Sequence, residues 1–477
     1  MRKNIIYNVL LSLSNILFPL ISFPYAARIL GPNGIGEAQF IFSYAQYFAL
    51  FAALGIPVYG IKEIAKATND PVATKSTFLS LTTLFFITSF IASILYLASI
   101  LLIPYFEPQK IIYIIAGILV LFSFTYTDWY YAGKGAFKTI TIRSVIVKAM
   151  ALGLLYLFVK TPSDLYNYLG ILIFTILGNQ VYSLIAIYYE NKGIPYQLEF
   201  SKHIKPLLFI FGATAASSMY TILDTVLLGF LSNTTAVGYY TAAIKFIKLT
   251  LPFVTSVGAV FIPVLSKHFA EKDYASVQKN LNTSFYFIVA LTIPLTIGTI
   301  LIAPEIIAIF SGEKFENSIL PMQIMSILPL IIGFGHLFAF QILIPSDRSK
   351  EVFIAMIVGL IISVGLNFIL TPIYQELGAS IICIITEITV TLIYFYYTHK
   401  LFSFRYPWKF FIQSLIACAT FIPIAMACKL VAQDIYIYTG LCIASCAAVY
   451  IAIQLFVFKH TFLTSYFRPT KITGDDQ

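Results

Sequence analysis

Residues Met219–Lys248 read MYTILDTVLLGFLSNTTAVGYYTAAIKFIK, two apolar runs joined by a short turn at residues 232–235. The first run contains Asp224, and the second contains Lys245 and Lys248. A charged side chain at the bilayer centre costs about 2.5 to 3.5 kcal/mol on insertion scales, so it normally faces a partner or a cavity. The two lysines are three residues apart and share one helical face. The pattern predicts a cationic face with a carboxylate nearby, inside a membrane bundle, as an anion-conducting cavity requires.

The whole chain has the composition of a membrane protein. It has 477 residues, 59% of them hydrophobic and 11% charged, and its mean hydropathy is +0.87. Apolar runs of roughly 20 residues, the length that crosses the bilayer as a helix, follow one another along the chain. We therefore predict an all-α integral membrane protein with about fourteen transmembrane helices. The predicted spans are 5–29, 37–60, 78–103, 110–131, 140–159, 165–189, 206–231, 237–264, 280–303, 319–343, 352–371, 378–398, 410–432 and 436–458.

An internal repeat predicts the organisation of these spans. The segment 231–238 resembles 30–36, and the basic loop that ends at Asp273 resembles the one that ends at Asp70, both about 200 residues earlier. Six spans fall in each period, so the two halves have the same orientation in the membrane. We predict a six-helix lobe over residues 1–200, a second over 201–403, and two additional helices with a cytoplasmic tail over 404–477.

The distribution of charge predicts orientation and excludes some partners. Most of the 30 Lys and Arg residues fall in connections that are cytoplasmic if both termini are cytoplasmic. This bias and attraction to anionic membrane lipids account for the net charge of +9, so we do not predict nucleic-acid binding. The five cysteines lie in late apolar spans without metal-ligand spacing, and no metal or cofactor is predicted.

Several phrases of sequence resemble a known family. They are Leu30-Gly31-Pro32-x-Gly34-x-Gly36, Tyr59-Gly60-x-Lys62-Glu63-Ile64-Ala65, Asp128-Trp129-Tyr130-Tyr131-x-Gly133, Asp224-x-x-Leu227-Leu228-Gly229 and Val237-Gly238-Tyr239-Tyr240-x-Ala242-Ala243. In this order they resemble the Wzx-type polysaccharide flippases of the multidrug/oligosaccharidyl-lipid/polysaccharide exporter superfamily. The resemblance implies a two-lobed, MATE-like bundle in the bacterial plasma (inner) membrane.

The resemblance also implies a function and partners. Such a protein moves undecaprenyl-diphosphate-linked oligosaccharide repeat units, as for O-antigen, from the inner to the outer leaflet. A polysaccharide polymerase and a chain-length regulator are the partner proteins it would imply. The lipid II flippases of the same superfamily place several arginines in the cavity of the first lobe, whereas the first span here offers only Arg28.

Six residues are candidates for binding the cargo: Arg28, Arg143, Lys148, Asp224, Lys245 and Lys248. Four of them have an alternative structural role. Asp224 and Lys245 can form an ion pair between helices, Arg28 can reach lipid phosphates, and Arg143 can serve as positive-inside anchoring. Asp128 can stabilise the end of its own helix rather than contact cargo.

The sequence leaves alternatives for the coupling ion and for the class of activity. Glu387 and Asp224 are candidates for coupling to H+ or Na+, although Glu387 can also hydrogen-bond while protonated. We predict no enzyme, because no catalytic constellation and no phosphate-binding Gly-rich loop is present. The alternatives are a cation-coupled multidrug antiporter, which would have an acidic cavity, and a membrane glycan polymerase, which would need a large external loop.

Overall fold

The computed structural model describes residues 2–459, apart from the side chains of residues 2–5, 213–221, 257 and 259. The predicted cytoplasmic tail beyond residue 459 lies outside the described residues. The described chain is helical and contains no β-strand. Its α-helices are α1 Arg2–Ala53, α2 Ile56–Ala67, α3 Pro71–Leu102, α4 Lys110–Ala116, α5 Ile118–Leu121, α6 Asp128–Gly133, α7 Phe137–Phe158, α8 Leu165–Glu190, α9 Ser201–Leu231, α10 Thr234–Ala270, α11 Tyr274–Leu301, α12 Ala303–Phe310, α13 Ile319–Met325, α14 Leu328–Phe338, α15 Ser349–Leu401, α16 Trp408–Cys418, α17 Phe421–Val431 and α18 Ile435–Ala452. Short 3-10 segments cover Pro104–Gln109, Phe122–Thr125, Glu313–Ser318 and Ile344–Ser346, and π-helical segments cover Ala339–Leu343 and Ile453–Val457.

These helices confirm the all-α, multi-pass membrane class. Within the described residues, ten helical stretches are long and apolar enough to cross a membrane, or up to eleven if the bent α10 counts as one more. Two of them, Ile6–Ala67 and Ser349–Leu401, each contain two predicted spans. The backbone leaves the helical conformation inside α1 at Gly31 (φ 68°) and inside α15 at Gln375 (φ 49°). The number fourteen stays a prediction.

Local sequence explains where the first helices are separated. Gly55 adopts a left-handed conformation (φ 76°) between α1 and α2, which a residue without a Cβ does readily. Asp70 caps α3, because its carboxylate accepts hydrogen bonds from the backbone N–H groups of Val72 (2.8 Å) and Ala73 (3.1 Å). Pro71 follows at the first helical position, where its missing N–H removes no helical hydrogen bond.

The chain forms two compact units. The first comprises Met1–Thr241 with Ser363–Ala379, and the second comprises Ala242–Ile362 with Ser380–Gln477, of which residues up to 459 are described. These units are defined by contacts, whereas the predicted lobes are defined by the repeat, and the lobe boundaries stay a prediction. In the second unit α11 packs against α14 and α16, with Phe285 fully buried.

Within the first unit, the two turns that resemble each other in sequence pack directly together. A Cβ on Gly36 would overlap the carbonyl oxygen of Thr234, and a Cβ on Gly238 would overlap the carbonyl oxygen of Pro32. Each glycine thus meets the carbonyl that lies four residues before its counterpart. Beside them, the Thr234 hydroxyl donates to Asn33 Oδ1 at 2.7 Å. Small residues allow two helices to approach this closely in a membrane protein. The Gly36–Gly238 crossing is therefore specified by the absence of two side chains.

We expect Gly36→Ala and Gly238→Ala each to lower the thermal unfolding temperature of the purified protein by several degrees. The added methyl group meets backbone, which cannot move aside as a side chain can, and such overpacking costs about 1–3 kcal/mol. The control is Gly153→Ala in α7, where a Cβ has no neighbour within 4 Å. Equal unfolding temperatures for all three variants would contradict the close crossing.

Candidate functional site

A polar cavity of about 700 Å³ lies inside the first unit. Residues of α1, α7 and α8 line it, together with Phe85 of α3 and Ser123 and Tyr126 on the segment before α6. Its charged lining residues are two basic and one acidic. The charged residues are Asp128, Arg143 and Lys148, and the lining also contains the amide side chains of Asn15, Gln46, Asn179 and Gln180.

Arg143 is held in a fixed orientation at this cavity. Its side chain is only 6% exposed, and one guanidinium nitrogen forms an ion pair with Asp128 at the start of α6. Nε donates to Asn179 Oδ1 of α8 at 3.3 Å. The remaining nitrogen, Nη1, is buried and has no hydrogen-bond partner among the described residues. One donor nitrogen of this rigid, charged guanidinium, Nη1, is therefore unused among the described residues.

Lys148 supplies the second positive charge of the lining. It is half-buried, and its ammonium donates to Ser14 Oγ at 3.1 Å and to Asn15 Oδ1, both on α1. No described carboxylate lies within ion-pair distance of it. Arg143 and Lys148 lie six and eleven residues beyond Phe137, the first residue of α7, or about 9 and 16 Å along that helix.

The amides of this cavity were not predicted as site residues. Asn15 lies on α1, and Asn179 and Gln180 lie on α8, where the Thr125 hydroxyl donates to the Gln180 side-chain oxygen at 3.0 Å. Because amide side chains carry no charge, charged residues within apolar runs do not reveal them. The available signal was the presence of amide side chains well inside predicted spans, where polar groups seek partners.

Two other predicted residues of the first unit lie elsewhere. Arg28 is exposed, donates to the Pro24 carbonyl at 3.3 Å, and does not line the polar cavity. Asp224 is 3% exposed on α9. Its Oδ1 accepts hydrogen bonds from the Ser363 hydroxyl at 2.7 Å and from the Asn367 amide at 3.1 Å, both on α15. Asp224 thus ties α9 to the middle of α15.

The remaining predicted residues belong to the second unit. Lys245 on α10 is half-buried and Lys248, one turn further, is exposed. Glu387 is 9% exposed on α15. The structure therefore brings Arg143 and Lys148 together in one cavity and leaves the site roles of Lys245, Lys248, Arg28, Asp224 and Glu387 as predictions.

The chemistry of the polar cavity suits an anion with several oxygen atoms. Arg binds phosphate or carboxylate through more than one N–H group, and Lys contributes a mobile point charge. Amide side chains add neutral donors for hydroxyl-rich ligands. The carboxylate of Asp128 competes with any such anion for Arg143, so binding requires an exchange of partners.

Solved structures show which class of fold this is. The chain is similar to a structure described as "Lipid II flippase MurJ, inward closed conformation", with a TM-score of 0.66, 17% identity, and coverage of 96% of this chain and 100% of that one. It is also similar to an inward-facing multidrug resistance MATE family transporter of the MOP superfamily, with a TM-score of 0.59 and 14% identity over 81% of this chain and 94% of that one. The fold is that of the MurJ and MATE transporters.

Sequence comparisons give the family. Residues 1–269 match the model of the family described as "Polysaccharide biosynthesis protein", and the chain belongs to that family. It is 25% identical over 406 residues to the Escherichia coli (strain K12) protein named "Putative O-antigen transporter", covering 82% of this chain and 95% of that one. A protein of the same name from Shigella dysenteriae is 25% identical over 401 residues, covering 82% and 98%.

We expect Asp128→Asn to lower the thermal unfolding temperature of the purified protein markedly, because it leaves the buried Arg143 guanidinium without a counter-charge. Breaking a buried pair from one side typically costs about 3–5 kcal/mol, whereas an exposed pair contributes about 0–1 kcal/mol. The control is Glu190→Gln, which removes the carboxylate of the more exposed Lys134–Glu190 pair. A smaller effect of Asp128→Asn than of Glu190→Gln would show that Asp128 does not stabilise Arg143.

Proposed function

We propose that this protein is a flippase for lipid-linked oligosaccharides and not an enzyme. Its specific cargo would be undecaprenyl-diphosphate-linked repeat units, moved from the inner to the outer leaflet of the bacterial plasma membrane. Membership of the polysaccharide biosynthesis family, the names of its relatives and the MurJ-like fold support this proposal. Both termini would lie in the cytoplasm, because that orientation places most basic residues inside.

The observation that carries the proposal is the pairing of Arg143 and Lys148 in the polar cavity. A diphosphate carries its charge on several oxygens, so it can engage the Arg143 guanidinium in place of Asp128 and the Lys148 ammonium at once. The oligosaccharide would face the amides and hydroxyl groups of the lining. The polyprenyl tail would stay in the lipid, so this apolar chain would not have to enter the polar cavity.

Asp128 gives this binding site a way to release its ligand. When no diphosphate is present, Asp128 satisfies the Arg143 guanidinium, and when one arrives it displaces the carboxylate. The favourable contact with phosphate is thus offset by the lost ion pair. A translocation site needs this balance, because an anion bound without competition in a low-dielectric cavity would leave slowly.

Further predicted residues extend the proposal to the second unit. Lys245 and Lys248 would form another cationic patch for the diphosphate, and Arg28 would attract it near the outer surface. Asp224 and Glu387 would couple transport to an H+ or Na+ gradient, since both are buried carboxyl groups in an apolar bundle. A polysaccharide polymerase and a chain-length regulator would act on the exported product.

Alternating access would begin at the Gly36–Gly238 crossing. This crossing joins the two sequence halves at the predicted external turns, and no side chain intervenes between the two helices. Separation of the two turns would break the Asn33–Thr234 hydrogen bond and open an outward path.

We expect Lys148→Gln and Arg143→Gln each to reduce translocation about tenfold or more in proteoliposomes that contain a polyprenyl-diphosphate-linked oligosaccharide with a fluorescent sugar. The measurement is the fraction of labelled sugar accessible to an added membrane-impermeant glycosidase over time. Loss of one charge-assisted hydrogen bond is worth about 1.5–3 kcal/mol, and each 1.36 kcal/mol is a factor of ten.

Lys148→Gln is the decisive variant, because Lys148 has no carboxylate partner among the described residues that the change would leave unpaired. The control is Lys66→Gln, which removes an equal charge from a lysine whose side chain is 60% exposed. Wild-type rates in Lys148→Gln would overturn the proposed role of the cavity. Transport of cationic drugs with no movement of the labelled lipid would favour the antiporter, and a change in glycan length would favour the polymerase.

We expect a disulfide between Asn33→Cys and Thr234→Cys to stop translocation and its reduction to restore it. The native side chains are 2.7 Å apart, so the introduced thiols are close enough to pair, and the crosslink prevents the two turns from separating. Each single variant serves as the control, treated with the same oxidant. Full activity of the crosslinked protein would show that the Gly36–Gly238 crossing does not open during transport.

A further inference from the structure

A second pocket, separate from the polar cavity, lies on the first unit. It has a volume of about 420 Å³ and sits between the first turns of α3, the last turns of α8 and the connection 191–200. We call it the α3/α8 pocket. It shares no lining residue with the polar cavity. The transport proposal therefore makes no use of it.

The described lining of the α3/α8 pocket includes two lysines, Lys75 and Lys192, and no acidic residue. Lys75 donates to the Ile194 carbonyl at 2.5 Å and lies 4.9 Å from the centroid of the Tyr196 ring. Since an ammonium has three donors, this arrangement orients Lys75 and leaves donors for a ligand. Lys192 is exposed and forms no ion pair with a described residue. The carboxylate of Glu190, nearby in sequence, is paired with Lys134.

The interior of the α3/α8 pocket is apolar, with aromatic residues at its edge. Leu79, Leu184 and Ile187 line the wall, and Tyr188 and Tyr196 are 67% and 51% exposed. Tyrosine favours the boundary between headgroups and hydrocarbon. The lining of the pocket thus combines two lysines and two exposed tyrosines with apolar side chains, as the boundary of a lipid leaflet combines charged and apolar groups.

Other basic residues surround the same end of the first unit. The α6–α7 connection begins at Lys134, whose partner Glu190 ends α8, and α2 lies beside α6, where Gly133 is close to Ile64. Lys66 and Lys202 belong to this end and are paired with Glu63 and Glu199. Lys75 and Lys192 differ from these lysines because neither forms an ion pair with a carboxylate in the described part of the chain.

We propose that the α3/α8 pocket binds an anionic glycerophospholipid from the surrounding leaflet. The phosphodiester would lie between Lys75 and Lys192, and an acyl chain would run along Leu79 and Leu184. Basic pockets between membrane helices that open to an apolar wall have the chemistry for such lipids. The bound lipid would hold the connection 191–200 against α3, where Gln197 N–H already donates to Ser76 Oγ at 3.0 Å. It would act as a structural lipid and not as cargo.

The experiment compares lipids and lysines in the purified full-length protein. Phosphatidylglycerol or phosphatidylcholine is added in mild detergent, and bound lipid is counted by native mass spectrometry while the unfolding temperature is measured. We expect phosphatidylglycerol to bind and raise the unfolding temperature, and phosphatidylcholine to do neither. Lys75→Gln with Lys192→Gln should reduce bound phosphatidylglycerol at least threefold, and Lys192→Gln alone should reduce it detectably. The exposed Lys192 side chain forms no ion pair with a described residue, so this single variant tests the pocket even if the double variant is unstable.

The matched control is the double variant Lys66→Gln with Lys202→Gln, which removes the same charge from the same end of the unit. An equal loss of lipid in this control would show diffuse surface attraction and overturn the proposal. Equal binding of phosphatidylglycerol by the pocket variants would also overturn it. A third arm adds a polyprenyl diphosphate. If this compound displaces phosphatidylglycerol from the wild type but not from the pocket variants, the pocket would be assigned to cargo instead. Translocation in the pocket variants is measured separately, because the flippase proposal survives the loss of this lipid site.

Discussion

The Arg143 guanidinium lies inside an apolar unit only because two neighbouring segments supply its partners. Asp128 holds one edge from the start of α6, and Asn179 holds Nε from α8. A buried charge without such partners is strongly destabilising, so this pair of contacts determines how α6, α7 and α8 can pack. Arg143 and Asn179 also line the polar cavity, and the third nitrogen of the guanidinium, Nη1, is buried without a hydrogen-bond partner among the described residues.

In the proposed transport cycle, the same interaction would favour release of the cargo over permanent binding. A cation with a resident carboxylate partner can exchange that partner for a phosphate, and the exchange involves little net change in charge pairing. Lys148 differs, because it rests on the neutral oxygens of Ser14 and Asn15. In the proposed function, Arg143 would set the balance between binding and release, and Lys148 would supply an attraction that no described carboxylate offsets.

The first unit contains two further features, the Gly36–Gly238 crossing and the α3/α8 pocket. At the Gly36–Gly238 crossing the two backbones are in direct contact. The helices pack closely there because neither glycine has a side chain. At the α3/α8 pocket, Lys75 and Lys192 lack the carboxylate partners that Lys66 and Lys202 have. Neither feature shares a residue with the lining of the polar cavity, so the proposed closure and the proposed lipid contact could change without altering the proposed anion site.

The sequence by itself determined the class of this protein. Long apolar runs can satisfy their backbone hydrogen bonds in lipid only as helices, and ordered motifs such as Asp128-Trp129-Tyr130-Tyr131 indicated the family to which the chain belongs. It also identified Arg143 and Lys148 as candidates, because charge inside an apolar run is conspicuous. Only the tertiary structure showed that these two residues share a cavity with Asn15 and Asn179, since three different helices contribute them. Periodicity reports the face of one helix, whereas the meeting of several faces depends on how the helices pack.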